Sequence, residues 1–594
     1  MSTTADQREP DAAFWSVMGA AGAALGILLA PFALTAPAPE VAGGPATAAV
    51  VAAVAEGYLD AWQRGDLTAM RDLVAAPSPE FEAAHMSLAE ALDVREARFR
   101  PGAPEVSGTV ATVPFSASLD LAGLGSWDYD GRLELVFTEP QPLALETSPV
   151  AEVSGGEAST TGAPPPPVFD GGAPRWAVSW SPTTVHPALL PGTALARQRS
   201  VAPRAPLVGV GGVALTGADA PRLPALGAQV LGSVGTLDEP AAAARGLLHQ
   251  VGDVVGTSGL QAAVDAQLSG RPSGAVQLVD DGGEVLQVLH VFSGEAPLPV
   301  ATTFDVEVQA AAEAALSATS KPAALVAVHA PTGQVRAVAN RPASGFNRAL
   351  VGQYPPGSTF KVVTTTALLA SGVAPETPVS CPASASVAGF RFSNAGGEAL
   401  GDIAFSTAFF RSCNTAFVQL AADLDPDALT AAAERFGFNT ELGLPVAASA
   451  GTFPTPASPV EQAAAAIGQA RVTATPLQMA TVAAAAASGT WYPPQLLVPA
   501  DPPGTALPDE VAGTLRELMV RVVEEGTGTA ARLPGQEVGG KTGTAEFGSA
   551  RPPRTHAWFI GFRGDLAFAV LVEDGGFGGA VAAPIAHSFL ARLG

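Results

Sequence analysis

The spacing of apolar side chains along this chain changes character several times, and each change predicts a new element. From Ala12 to Pro39 no charged residue occurs, and FWSVMGAAGAALGILLAPFALTA is long enough to cross a bilayer, which takes roughly 20 apolar residues. Residues 13–39 read as a transmembrane anchor behind a cytoplasmic tail, 1–12. The alternative is a cleaved signal peptide, because Ala36-Pro37-Ala38 fits the small-residue cleavage pattern. Both readings place residue 40 onward outside the cytoplasm, and the first makes this a single-pass protein of the cell membrane with its chemistry extracytoplasmic. Val51, Val54, Tyr58 and Trp62 then recur at three- and four-residue spacing. They predict an amphipathic helix over 46–63, followed by a second carrying Met70, Leu73 and Val74.

After about residue 104 the period drops to two. GTVATVPFSASLDL, GRLELVFT and RWAVSWS alternate, with Trp176, Val178 and Trp180 on one face, which is strand behaviour. Between the last two segments, 148–174 is too rich in Pro, Gly, Ser and Thr to pack and reads as a long flexible insertion. These segments make a small α+β domain over 44–186 whose aromatic residues fill a core. A second domain follows over 190–315, where AVQLVDDGGEVLQVLHV reads as a hairpin around Asp280-Asp281-Gly282-Gly283. DVEVQAAAEAAL has helical composition, and the strand pair ALVAVHAPTGQVRAVAN, turning at Pro331-Thr332-Gly333, opens a third domain over 316–594. The fold class is therefore multidomain α+β.

Composition narrows the function. Hydrophobic residues are 47% and charged residues 14%, with 64 Gly and 53 Pro, as expected of ordered domains joined by flexible connectors. A net charge of -24 leaves no basic excess to release counterions from phosphates, so nucleic acid is not a partner. The acidic surplus reads as solvated surface. No pair among the 7 histidines has metal-ligand spacing, so no metal and no organic cofactor is expected. Outside the cytoplasm the only two cysteines, Cys381 and Cys413, are candidates for a disulfide, the other reading being two buried thiols.

Lysine is the informative residue. Of 31 basic side chains only Lys321, Lys361 and Lys541 are lysines, and an amine, unlike a guanidinium, can be made to give up its proton. In YPPGSTFKVVTT, residues 354–365, Pro355-Pro356-Gly357 cannot continue a helix and STFK can start one, so Ser358 falls near a helix N-terminus. Lys361 lies three residues on, on the same face. A desolvated amine there would take the hydroxyl proton and make serine a nucleophile. RSCNTAF sets Ser412 and Asn414 two apart, and GGKTGTAEF holds Lys541, Thr542, Gly543 and Thr544. An extended Lys-Thr-Gly-Thr strand offers an ammonium and hydroxyls to a carboxylate, with glycine where substrate approaches the backbone. GQEVGGKT, 535–542, also satisfies the phosphate-loop pattern, but no helix can open at Lys541 given the glycines and prolines that follow.

In order, Ser358-x-x-Lys361, Ser412-x-Asn414 and Lys541-Thr542-Gly543 form the three-motif pattern of the penicillin-recognising serine enzymes. NRALVGQYPPGSTFK, AFFRSCNTAFVQLA, IGQARVTATPLQMATVAAAAASG, EEGTGTAARL, VGGKTGTAEF and HAWFIGF all resemble the corresponding stretches of class B penicillin-binding proteins, covering about 316–594. The first domain resembles the small cone-shaped domain similar to nuclear transport factor two that some members carry. VGTSGLQAAVDAQLSGRPSGAVQLVD and TTFDVEVQAAAEAAL resemble the pedestal, or dimerisation, domain. RSVAPRAPLVG, from Arg199, lacks the glycine and aspartate of the family's Arg-Gly-x-Ile-x-Asp-Arg-like signature.

The resemblance implies a C-terminal transpeptidase domain of α/β type, an antiparallel sheet flanked by helices. It implies that Ser358 attacks the penultimate D-Ala carbonyl of a peptidoglycan stem peptide while Lys361 accepts its proton. Ser412 would relay a proton to the leaving nitrogen, Asn414 would orient Lys361, and Lys541 would hold Ser412 in an electropositive setting. Thr542 and Thr544 would bind the terminal carboxylate beside Gly543, and the N–H groups of Ser358 and Thr544 would form the oxyanion hole. Stem peptides ending in D-Ala-D-Ala, β-lactams, the cytoplasmic membrane and a glycosyltransferase are the implied partners. A D,D-carboxypeptidase, a serine β-lactamase, a β-lactam sensor and a non-catalytic wall scaffold are the alternatives. His556 and Trp558 fit either the strand beside the site or a packed core.

Overall fold

The computed structural model describes residues 45–138, 175–498, 502–550 and 553–594. The tail 1–12, the anchor 13–39 and the insertion 148–174 lie outside the described residues. Among the described residues no helix is long and apolar enough to cross a membrane.

In the first domain, helix Pro45–Gln63 buries Val51, Ala55, Tyr58, Leu59 and Trp62 along one stripe. Helix Leu67–Asp72 is N-capped by Asp66, whose carboxylate accepts the Ala69 N–H, and it ends before Leu73 and Val74. A third helix, Phe81–Leu92, was not legible in the sequence. Its buried stripe Phe81, His85, Leu88, Leu92 contains a histidine, which breaks the apolar signal. These helices pack on an antiparallel sheet whose neighbours run Val94–Pro101, Val110–Leu121, Gly125–Thr138, Arg175–Val178. Ala111, Val113, Phe115, Ala117, Leu119 and Leu121 all point inward, as strict alternation requires. The strand ends at Val178, so Trp180 packs from the loop beyond it.

The second domain centres on a three-stranded sheet of Thr193–Ser200, Ser273–Asp280 and Val285–Phe292. Its hairpin is the expected one, closed by Asp280 Oδ1 accepting the N–H groups of Gly282 and Glu284 at 2.9 Å each. Leu195, Val276, Leu278 and Phe292 join the same apolar cluster as Trp62, Phe115 and Trp127. The first core therefore continues across residue 190. Arg199, at the start of the altered signature, forms a two-pronged pair with Asp253 at 2.9 and 2.8 Å.

The C-terminal domain is a five-stranded antiparallel sheet between two helical layers, in the order Gln334–Arg341, Ala323–His329, Leu566–Val572, Arg554–Arg563, Gly539–Phe547. Helices Val306–Leu316 and Gly578–Ala591 cover one face. Helix Pro476–Ser488, buried from Pro476 to Ala486, lies against the other face with Lys361–Ala370. Because both faces are covered, the central strands are unbroken apolar runs such as ALVAV.

Candidate active site

Two prolines and a glycine shape the nucleophile turn. Gly357 sits at φ 53, where a Cβ would lie 3.0 Å from Thr544 O and 3.1 Å from Ala545 Cα. The chain then makes a 3₁₀ turn, Gly357–Phe360, that runs into α-helix Lys361–Ala370. Ser358 is half-buried in this turn, and Lys361, first residue of the helix, is 0% exposed.

The second motif sits in the turn between helices Phe405–Phe410 and Asn414–Ala422. Ser412 is held at φ 61, a conformation a side-chain-bearing residue adopts at a cost of order 1–3 kcal/mol. Cys413 caps helix Asn414–Ala422 and is disulfide-bonded to Cys381, with Cα atoms 6.3 Å apart. The turn aims three acceptors at Lys361, whose Nζ donates to Ser412 O at 2.8 Å, Asn414 Oδ1 at 2.7 Å and Ser412 Oγ at 3.3 Å.

The third motif lies on the sheet's edge strand, Gly539–Phe547, which pairs on one side only with Arg554–Arg563. Its other edge turns toward Ser358. Lys541 Nζ donates to Ser412 Oγ at 2.9 Å and Thr542 O at 3.0 Å, so one serine hydroxyl stands between two buried lysines. A Cβ at Gly543 would lie 2.8 Å from Thr359 Cγ2 and 3.0 Å from Pro356 O; glycine is what lets the strand reach the nucleophile turn. Thr542 and Thr544, two apart, share a face. The phosphate-loop reading fails on geometry, since Lys541 sits within a strand and opens no helix.

Burial, reinforced by the charge of Lys541, holds the Lys361 amine well below the usual lysine range. Burial brings Lys541 down to about 7. The Phe417 ring centroid lies 5.0 Å from Lys361 Nζ and that of Phe409 5.9 Å from Lys541 Nζ, which supports the ammonium forms weakly, by about 0.5–2 kcal/mol. A neutral Lys361 keeps two N–H donors for the Ser412 carbonyl and Asn414 Oδ1, leaving its lone pair for a hydroxyl proton. Among the described residues Lys361 makes no hydrogen bond to Ser358 Oγ, and no carboxylate hydrogen-bonds to Lys361, Ser412 or Lys541.

The three motifs thus meet: hydrogen bonds join Lys361, Ser412, Asn414 and Lys541, and Gly543 packs on the Ser358 turn, while on the same strand the Thr542 hydroxyl pairs with Thr527 Oγ1 and the Thr544 hydroxyl accepts the Gly578 N–H at 3.2 Å. His556 does not join them: it stacks on Phe547 with centroids 3.9 Å apart. Trp558 is fully buried and braces the site from beneath, its Nε1–H donating to Pro355 O at 3.0 Å. Sequence reasoning did not single out Thr527, whose hydroxyl is 2.5 Å from Thr542 Oγ1, or the buried Asn394 beside the disulfide. Neither residue is in one of the three spaced motifs.

Residues 323–591 match the family model of the penicillin binding protein transpeptidase domain, and residues 223–297 that of the penicillin-binding protein dimerisation domain. The peptidoglycan D,D-transpeptidase PbpA of Mycolicibacterium smegmatis is 37% identical over 281 residues, 41% of this chain and 56% of that protein. The chain thus spans a little over half the length of that curated relative. Penicillin-binding protein A from M. tuberculosis, solved as a ceftriaxone acyl-enzyme complex, is 26% identical with a TM-score of 0.53, covering 66% of this chain and 98% of that one. A chain of a peptidoglycan synthase complex that coordinates polymerization and crosslinking is 26% identical with a TM-score of 0.59, over 68% of this chain and 92% of its own.

Proposed function

Because this chain belongs to the penicillin-binding proteins, carrying their transpeptidase and dimerisation domains, we propose that it is a peptidoglycan D,D-transpeptidase working through an acyl-serine and acylated in the same way by β-lactams. The observation that carries this reading is the buried Lys361 amine, fixed by Ser412 and Asn414, with Lys541 on the same Ser412 hydroxyl.

Ser358 Oγ attacks the carbonyl carbon of the penultimate D-Ala, and its proton passes to the neutral Lys361 Nζ. The oxyanion is received by the Ser358 and Thr544 N–H groups, a contribution of about 3–4 kcal/mol per donor. The C–N bond breaks as the leaving D-Ala nitrogen takes a proton from Ser412, which is resupplied from Lys361. Lys541, Thr542 and Thr544 hold the terminal carboxylate, and Gly543 gives the peptide room. An amine of a neighbouring stem peptide then attacks the ester carbonyl, its proton passing through Lys361 to Ser358 Oγ as the ester C–O bond breaks and the crosslinking amide forms. Amine attack rather than hydrolysis by a carboxypeptidase or β-lactamase is supported by the likeness to relatives named peptidoglycan D,D-transpeptidases.

The apolar 13–39 run supports single-pass anchoring, and helices on one face of an antiparallel sheet support a nuclear-transport-factor-two-like first domain. The likeness to a synthase-complex chain supports a glycosyltransferase partner. The deciding experiment is intact-mass spectrometry of the full chain in detergent after exposure to a fluorescent penicillin, beside Ser358→Ala. One slowly lost adduct on the wild type and none on the variant is the expected result; an unmodified wild type would favour the scaffold.

A further inference from the structure

Asn414 can serve Lys361 only if its amide is held with Oδ1 toward Nζ, and what holds it lies outside the three motifs. Its Nδ2 donates to Ser393 O at 3.2 Å. Asn394, the next residue, is 7% exposed and uses both ends of its own amide. Its Oδ1 accepts the Thr415 N–H at 3.0 Å, one of the otherwise orphaned donors in the first turn of helix Asn414–Ala422. Its Nδ2 donates to Pro382 O at 3.0 Å and Glu398 O at 2.8 Å, and lies 3.1 Å from Thr415 Oγ1. Three backbone groups thus fix the orientation of the Asn394 amide. Residues 393 and 394 thereby grip Asn414 by its side chain and its chain neighbour by the backbone. The disulfide ties the same turn to Cys381, one residue before Pro382.

We propose that Asn394 is a positioning residue for the acyl-transfer reaction: it locks the Ser412–Thr415 turn so that Asn414 Oδ1 and Ser412 O orient the Lys361 amine toward Ser358. The inference rests on the function proposed above. Removing the Asn394 amide takes away the acceptor of the Thr415 N–H and the donor to Glu398 O, leaves Pro382 O with only the Thr415 hydroxyl at 2.8 Å, and lets the turn relax around Ser412, already in the left-handed region. The Ser358 turn and the Lys541 strand, which Asn394 does not touch, keep their places. Encounter with a β-lactam should therefore be spared and the bond-forming step slowed.

The test is stopped-flow acylation of the full chain by a fluorescent penicillin, separating the pre-acylation dissociation constant from the acylation rate constant, for wild type, Asn394→Ala and Gln462→Ala. Gln462 is the control because its buried amide also bridges two carbonyls, Ala421 O and Leu424 O, at the other end of the same helix. Asn394→Ala is expected to cut the rate constant at least about tenfold with the dissociation constant within about twofold, while Gln462→Ala lowers Tm and leaves both constants near wild type. Asn394→Asp, which keeps the Thr415 acceptor and loses the donors, should fall between. A folded Asn394→Ala with the wild-type rate constant, or equal slowing by Gln462→Ala at equal Tm loss, overturns the inference. If Asn394→Ala does not fold, an Asn394→Asp rate equal to wild type overturns it instead. A wild type that is not acylated at Ser358 removes the parent reading and this one together, whereas an acylated wild type with indifferent variants removes this one alone.

Discussion

Lys541 trades stability for chemistry, and pH exposes the trade. Its ammonium in the fold titrates at about 7, because burial penalises the charge, whereas an unfolded lysine holds its proton to about 10.4. Below pH 7 both states carry the proton and the folded state bears the whole penalty, on the order of 5 kcal/mol at 1.36 kcal/mol per unit. Between about 7 and 10.4 the folded chain has released a proton that the unfolded chain keeps, so stability rises with pH. Lys541→Met should therefore melt above wild type at pH 6, and its advantage should shrink by pH 9. A Tm difference that is the same at both values contradicts the assignment. The same titration shapes catalysis: in free enzyme the electropositive Lys541 is lost as pH rises through about 7, so the second-order acylation constant should fall above that value.

At the scale of elements, the site exists because an edge strand and a helix turn touch where neither carries bulk. In Gly543→Ala the new methyl would lie 2.8 Å from Thr359 Cγ2 and 3.0 Å from Trp558 Cβ, so strand and turn must part by several tenths of an ångström. We expect acylation slower by about 10- to 100-fold and a stability loss of about 1–3 kcal/mol, read from acylation kinetics and thermal melts. Wild-type kinetics would mean that this contact does not set the cleft. The disulfide is the other clamp. Its sequence separation of 32 residues corresponds to about 3–4 kcal/mol of chain entropy, so the double variant Cys381→Ser/Cys413→Ser should melt lower and acylate more slowly than wild type. The motif residues stood out because the three spacings in order resemble the pattern of the penicillin-recognising serine enzymes; taken singly, a serine three before a lysine or a Lys-Thr-Gly run is common. Asn394 and Thr527 did not stand out, since a buried amide bridging backbone groups looks like any loop asparagine until the fold closes on it. Helix Phe81–Leu92 escaped for a related reason: only one ring nitrogen of the buried His85 is satisfied locally, by Phe81 O at 2.8 Å, and the other meets Tyr58 Oη at 3.2 Å through a tertiary contact.

For the whole molecule, the boundary between the first two domains is less of a joint than the change of hydrophobic period suggests. Leu195, Val276, Leu278 and Phe292 share one apolar cluster with the first domain, and Arg199 sits on the seam. Its Nε donates to Gly123 O at 2.8 Å while its two terminal nitrogens grip Asp253, and the two side chains are only 9% and 14% exposed. A pair this dry loses about 3–5 kcal/mol when one partner is removed, because the carboxylate is left buried and uncompensated. The cleft around Ser358 shares none of these contacts. Arg199→Ala should therefore lower the calorimetric transition that contains the first domain and the three-stranded sheet, melting together, and leave the acylation rate of Ser358 at 25 °C within about twofold of wild type. Separate melting of those two parts in the wild-type protein would show that the shared apolar cluster does not couple them. A large fall in acylation would mean that the seam reaches the catalytic domain through contacts other than these.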